Sequence, residues 1–201
     1  PDRIILIAEA IRRNIEISDI HNSTHIDIFF LREIKEIIDL EKLVIKSQGN
    51  LTDDLLISAK KMGFSNTHLA NLCKIDLKKI YELLSKNNSQ TVYKRVDTCG
   101  NEFDSSTAYL YSTFTNEVSE FSCEARPSNK DKIIILGSGP NRIGQGIEFD
   151  YCCVQAVKSF QKMGYETIMI NCNPETVSTD YDTSDKLYFE PLDFECVKNI
   201  I

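Results

Sequence analysis

Apolar positions recur at helical spacing through the first 86 residues. Ile4, Ile7, Ala8 and Ile11, following Pro1, predict a short amphipathic helix. Thr24, with Asp27 three residues on in the acidic place of a capping box, predicts the next helix start. Ile26, Phe30, Ile34, Ile37 and Val44 then recur near every 3.6 residues, while Arg32, Glu33, Lys35, Glu36 and Asp39 take other faces. This predicts a long surface helix with one buried stripe. Thr52 opens another helix, carrying Leu55, Leu56, Ala59 and Met62, and Gly63 is placed to end it in a left-handed turn. Ser65 and Asp76 open two more, with Leu69 and Leu72 on the first and Ile80, Leu83 and Leu84 on the second. The short connectors imply antiparallel or steeply crossed neighbours.

Residues 87–90 are a polar break. From Thr91 to Phe114, Tyr93, Val96, Phe103, Tyr109 and Tyr111 are interleaved with polar residues, which predicts an irregular stretch with short extended pieces. Asn116 to Lys130 is polar, contains Pro127 and is the linker expected between domains. The pattern then changes. Lys132–Leu136 is a short apolar run ending at Gly137, as in a buried parallel strand. A helical stretch runs from Gly146 to Met163, with Gly164 to end it. Thr167–Ile170 reads as a second strand and Leu187–Phe189 as a third. Strand, glycine loop, helix, strand is the opening of a doubly wound α/β domain, with right-handed crossovers. The fold class expected is therefore α plus α/β: a helical domain over 1–115, a linker over 116–130, and over 131–201 the first part of a Rossmann-like parallel-sheet domain. The chain lacks an initiator Met and stops in a helical pattern, so both ends are expected to be cuts in a longer protein.

Composition narrows the function. The net charge of −7 disfavours general binding to nucleic acid, because an acidic surface repels phosphate backbones. No apolar run reaches membrane-spanning length and no secretory n- and h-region opens the chain, so no membrane partner is expected. The seven cysteines are odd in number and include the adjacent pair Cys152 and Cys153. With no Cys-x-x-Cys spacing, they read as reduced thiols of a cytoplasmic protein rather than a disulfide framework or a zinc site.

The stretch with the most chemistry is Gly137-Ser-Gly-Pro-Asn-Arg-Ile-Gly-Gln-Gly-Ile-Glu-Phe-Asp-Tyr151. Gly137, Gly139, Gly144 and Gly146 lie between a strand end and a helix start, where glycine permits tight turns and lets backbone N–H groups approach an anion. Arg142 adds a planar donor fork suited to a carboxylate, carbamate or phosphate. The dinucleotide fingerprint fails, since its last glycine falls on Arg142, and no P-loop Gly-Lys-Ser/Thr is present. The alternative is that the glycines serve only close strand–helix packing. A second polar cluster, Asn171 to Asp185, follows the second strand and is expected at the same sheet edge. Asp180, Asp182 and Ser184 mimic a calcium loop, but Asp185 stands at its glycine position and Pro191 at its glutamate position. A loop of Asx and Ser/Thr turns is the simpler reading.

These two stretches closely resemble the large-subunit family of carbamoyl phosphate synthetases, and Tyr93–Cys99 and Ala108–Phe114 are similar to the same family. The resemblance spans essentially the whole chain. It implies a helical oligomerisation domain followed by the start of the second, carbamoyl-phosphate-forming half, a Rossmann-like pre-ATP-grasp domain. Gln145-Gly146-Ile147 before Glu148 is like the second-half copy, where the first half carries Gly-Gln-Ala. The family's enzyme is an ATP-dependent carbon–nitrogen ligase that makes carbamoyl phosphate from bicarbonate, glutamine or ammonia, and two ATP, for pyrimidine and arginine synthesis. The resemblance implies that Arg142, Glu148 and Glu175 match charged positions of the carbamate tunnel, beside the anion-loop glycines. It implies no catalytic residue, metal ligand or cofactor in these 201 residues. The ATP and Mg (or Mn) of the parent enzyme belong to ATP-grasp modules elsewhere. Homo-oligomers and a small glutamine amidotransferase subunit are the partners implied, and the segment alone is expected to be inactive.

Two further signals are weaker. His21 and His25 stand four apart, a metal-binding spacing, but Asn22-Ser-Thr24 between them reads as a turn. The helices opened by Ser65 and Asp76 resemble a helix-turn-helix, so a DNA-binding module is the competing reading. Residues 51–90 hold six lysines against four acids, yet the second helix has no Arg, Asn or Gln before Asn87 for base readout.

Overall fold

The computed structural model describes residues 2–87, 89–100, 102–103, 105, 107–115, 123–140 and 148–201, with only the backbone of residues 148 and 149. The chain divides into two compact units, Pro1–Asn87 and Asn88–Ile201.

The first unit is helical: α1 (Arg3–Arg12), α2 (Ile17–Thr24), α3 (Ile28–Lys46), α4 (Asp53–Lys61), α5 (Asn66–Cys73) and α6 (Leu77–Lys86). Thr52, Ser65 and Asp76 cap α4, α5 and α6 by accepting from Leu55, His68 and Lys78 N–H groups, as their positions predict. Gly63, at φ +85°, follows the end of α4. Thr24 does not cap a helix. It ends α2, its hydroxyl donating back to the Ile20 carbonyl at 2.7 Å, and Asp27 caps α3 instead by accepting from Phe29 N–H. His25 turns the chain between them in the left-handed region.

The buried stripe of α3 is shifted from the expected one. Leu31, Ile38, Glu41 and Val44 are buried, whereas Phe30 and Ile37 are exposed. Glu41 interrupts the true stripe in sequence. Its burial is tolerated because Arg12 from α1 grips both carboxylate oxygens at 2.8 and 2.7 Å. Ile7, Ile11, Ile20, Leu31 and Ile38 form the core of α1–α3.

The second unit holds β1 (Gln90–Arg95), β2 (Tyr109–Thr115), β3 (Lys132–Leu136), α7 (Glu148–Lys162), β4 (Glu166–Ile170), a short 3-10 turn (Val177–Thr179), β5 (Lys186–Tyr188) and α8 (Phe194–Ile200). The strands form one sheet in the order β1-β2-β5-β4-β3. β3, β4, β5 and β2 run parallel, and β1 joins antiparallel along the whole of Gln90–Arg95. The period-2 alternation sorts the faces. Ile135, Met169 and Leu187 pack with Val157 and Phe160 of α7, while Ile168, Ile170, Leu110, Tyr93 and Tyr188 pack with Val197 and Ile200 of α8.

The helical unit therefore stops at Asn87 rather than at 115, because both strands after it are committed to the sheet. The described part of the expected linker is also docked. Edge strand β1 has free ladder groups, and Glu124 meets them: its N–H donates to the Tyr93 carbonyl at 2.7 Å and its carboxylate accepts from Arg95 N–H at 2.7 Å. Residues 116–122 lie outside the described residues.

Candidate functional site

β3, β4 and β5 run parallel, so their carboxyl ends share one sheet edge, where ligands of open α/β sheets sit. The glycine loop leaves β3 there and α7 begins there. Gly137 N–H donates to the Ile170 carbonyl at 2.8 Å, carrying the β3–β4 ladder one step past the strands. A Cβ on Gly137 would stand 2.4 Å from the Asn171 Cγ, so a side chain at 137 and the packed Asn171 are incompatible. Gly139 turns at φ +74° and gives its N–H to Asn171 Oδ1 at 3.1 Å. One buried asparagine thus sets the path of the first residues of the glycine loop, Gly137–Gly139.

The second motif starts at that edge and does not stay there. Asn171 N–H bonds the Tyr188 carbonyl, and Asn173 Oδ1 accepts from Glu175 N–H at 2.9 Å in an Asx turn. The chain then runs along α7. Ser178 N–H donates to buried Asp150 Oδ2 in the first turn of α7, at 2.6 Å. It reaches the opposite edge at Asp185, whose Oδ2 accepts from both the N–H and the hydroxyl of Thr167 at 2.8 Å. Burial works to raise the Asp185 pKa, but the Thr167 bonds, a Gln161 hydrogen bond and the Lys130 charge together hold it below the ordinary carboxylate value. The expectation that the whole of Asn171–Asp185 faces the glycine loop is corrected accordingly. β5 is parallel to β4, so the connection must return to the amino ends.

Of the site residues expected from sequence, Gly137, Gly139 and Glu175 are placed at this edge or on the loop leaving it, with Glu175 exposed. Glu148 opens α7, and its side chain is outside the description; Arg142, Gly144 and Gly146 lie outside the described residues. Asn171 and Asp150 were given no role by sequence reasoning, and Ser178 likewise. Their signal was slight: a polar residue directly after an apolar strand, and an acid in a helix first turn. Each of the two side chains bonds through one atom, while Asn171 Nδ2 and Asp150 Oδ1 have no partner among the described residues.

The other candidates resolve simply. His21 Nδ1 lies 2.7 Å from the Ile26 carbonyl, in a backbone turn. Among the described residues no three His, Cys, Asp or Glu groups converge to hold a metal ion, and no helix is long and apolar enough to cross a membrane.

Comparison with known proteins agrees with this architecture. Residues 1–88 match the family model for the carbamoyl-phosphate synthetase large chain, oligomerisation domain, and residues 129–201 that for the carbamoyl phosphate synthase preATP-grasp domain. The carbamoyl phosphate synthase large chain of Vibrio cholerae serotype O1 is 52% identical over 202 residues, covering 100% of this chain and 18% of its own length. That of Neisseria meningitidis serogroup A is 50% identical over 204 residues, again covering 100% and 18%. The chain belongs to the carbamoyl phosphate synthase large-chain family. Another large chain, from Buchnera aphidicola subsp. Acyrthosiphon pisum, is 52% identical over 202 residues with the same coverage. The chain spans 18% of the length of these carbamoyl phosphate synthase relatives. The boundary of the oligomerisation-domain match coincides with the end of the helical unit at Asn87. β1 and β2 fall between the two matches. The α5–α6 pair lies inside the oligomerisation-domain match, and nothing in these comparisons supports its reading as a DNA-binding module.

Proposed function

We propose that these residues serve a carbamoyl phosphate synthase large chain as an assembly module joined to the opening of the carbamoyl-phosphate-forming half. The carrying observation is the pair of consecutive matches, oligomerisation domain then preATP-grasp domain, within one alignment that spans the chain at 52% identity. The parent reaction on this reading is ATP-dependent ligation of bicarbonate and the nitrogen of glutamine or ammonia to carbamoyl phosphate, feeding pyrimidine and arginine synthesis in the cytoplasm. A small amidotransferase subunit supplies the nitrogen.

Arg142, Glu148 and Glu175, with the glycines of the anion loop, line part of the route by which carbamate reaches the second phosphorylation site. Carbamate hydrolyses in water, so a walled route with few placed charges protects it. A guanidinium fork suits its two oxygens, and carboxylates suit its amino group. ATP and Mg (or Mn) bind in the ATP-grasp modules of the parent chain.

The test is Arg142→Ala in a full-length large chain carrying this segment. Carbamate transfer to the second site should fall more than carbamate formation, read as more ATP hydrolysed per carbamoyl phosphate made. Equal loss of both would refute the tunnel role. The 201-residue chain alone should neither turn over nor bind ATP at micromolar concentration in calorimetry.

A further inference from the structure

We infer that Asn171 and Asp150 are positioning residues, paired anchors that hold the Glu175 loop rigid against the glycine loop and the start of α7; the inference rests on the tunnel reading of Glu175.

The loop from Asn171 to Thr179 carries Glu175 on its exposed stretch. An exposed loop of this length is ordinarily mobile, since few buried contacts restrain it. Here both ends are tied down by buried side chains across long sequence separations. At the first end Asn171, fully buried, accepts from Gly139 N–H at 3.1 Å and fills the space left by the missing Cβ of Gly137. At the other end Asp150, 4% exposed, accepts from Ser178 N–H at 2.6 Å, and Ser178 and Thr179 are buried beside it. Between the anchors the backbone is locked locally. Asn173 Oδ1 takes the Glu175 N–H at 2.9 Å, and Thr179 Oγ1 donates to the Thr176 carbonyl at 2.8 Å.

The anchors also sit beside the residues that matter. Asp150 is two positions after Glu148, and Asn171 touches the loop that leads to Arg142. The two anchors therefore fix both ends of the loop that carries Glu175. A shift of about an ångström takes a side chain out of hydrogen-bond range of a passing anion.

The experiment uses the full-length large chain carrying this segment, with its amidotransferase partner. Asp150→Ala and Asn171→Ala should each lower carbamoyl phosphate formed per ATP hydrolysed several-fold. Bicarbonate-dependent ATP hydrolysis and ATP formation from ADP and carbamoyl phosphate should stay near the parent values, which a general folding defect would not permit. Asp150→Asn and Asn171→Asp keep an oxygen where Ser178 and Gly139 need an acceptor, and should restore coupling. Alanine variants that remain fully coupled, or conservative variants as uncoupled as alanine, would overturn the inference. Glu175→Gln separates the two levels. If it stays coupled, the tunnel reading falls and takes this inference with it; if it uncouples while the alanine variants do not, only the anchors fall. Should the alanine variants fail to fold, amide exchange in the unmodified chain decides. The Gly139 and Ser178 amides should exchange at least about tenfold more slowly than in an unstructured peptide, and free-peptide rates at both would overturn the inference.

Discussion

Arg12 on α1 holds Glu41 on α3 through two parallel bonds, and that pairing decides how a carboxylate enters an otherwise apolar stripe. The guanidinium hydrogen bond is the main cause that holds the Glu41 pKa below the ordinary glutamate value, against the opposing effect of burial. A depressed folded pKa means the stabilisation is complete above the ordinary glutamate range and fades as pH falls through the lowered value. Arg12→Ala should cost about 2 kcal/mol at neutral pH, below the ~3–5 kcal/mol of a fully buried pair because Arg12 keeps water contact. The penalty should shrink in acid, and Glu41→Leu in the same chain should recover most of it; urea titrations at several pH values would read both effects. The stripe could not be read correctly from sequence for this same reason. With Glu41 on the true face, Phe30 and Ile37 offered a cleaner periodicity leading to Val44 than Leu31 and Ile38 did, and of that expected stripe Val44 is buried. A second residue-level prediction concerns thiols. Burial, with Asp193 beside it, pushes the Cys196 thiol up to about 12, so almost none is thiolate at pH 8. Alkylation followed by mass spectrometry should label exposed Cys123 and Cys152 well before Cys196.

Between elements, the contact that positions the site is Gly137 against Asn171, where β3 and β4 end side by side. Gly137→Ala puts a methyl where Asn171 Cγ already is, and neither neighbouring backbone is free to yield. The expected loss is about 1–3 kcal/mol, the usual range for overpacking. Adding Asn171→Ala should recover part of it, leaving the double variant less destabilised than the sum of the singles, by chemical denaturation at unchanged m. The elements of the glycine segment were legible because each carries a local signal. The apolar run 132–136, the glycine at 164 and the run 167–170 mark β3, the end of α7 and β4 almost to the residue. β1 and β2 had no such mark. Their aromatic and polar residues alternate over faces only half buried, and their pairing spans thirteen residues of connection, Val96 to Ala108. Long-range strand pairing leaves little trace in any local window. The return of the Asn171–Asp185 segment to the opposite edge was hidden for a related reason. It follows from β5 lying parallel beside β4, which is a property of the sheet rather than of the loop sequence.

At the scale of the whole chain, the helical unit keeps an apolar surface that its own fold does not use. Ile4, Ile5 and Leu6 on α1 are each more than 60% exposed, and Phe29 and Phe30 on α3 are 61% and 60% exposed. Between α1 and α2 lies an open pocket of about 320 Å³ lined by Leu6, Ile7, Ala10, Ile15 and Ile20. Single exposed apolar residues need no explanation, but clusters of this kind on a monomer mark surfaces that are covered in an assembly. Only the surplus of such burial over the entropic cost of association shows as affinity, so a few well-packed apolar anchors rather than total area decide whether copies associate. Together with the match to an oligomerisation domain, this predicts self-association through the helical unit. Light scattering over a hundredfold concentration range should give a mass that rises with concentration for the chain. Leu6→Glu and Phe30→Glu each place a charge on an exposed position and should shift the mass toward the monomer without altering the far-ultraviolet dichroism. Sheet edges are the competing cause of association, because strand ladders can also pair between chains. A chain altered only at Leu136, exposed on edge strand β3, should therefore keep its association constant. If the Leu136 variant dissociates and the helix variants do not, the assembly belongs to the sheet edge rather than to the helical unit.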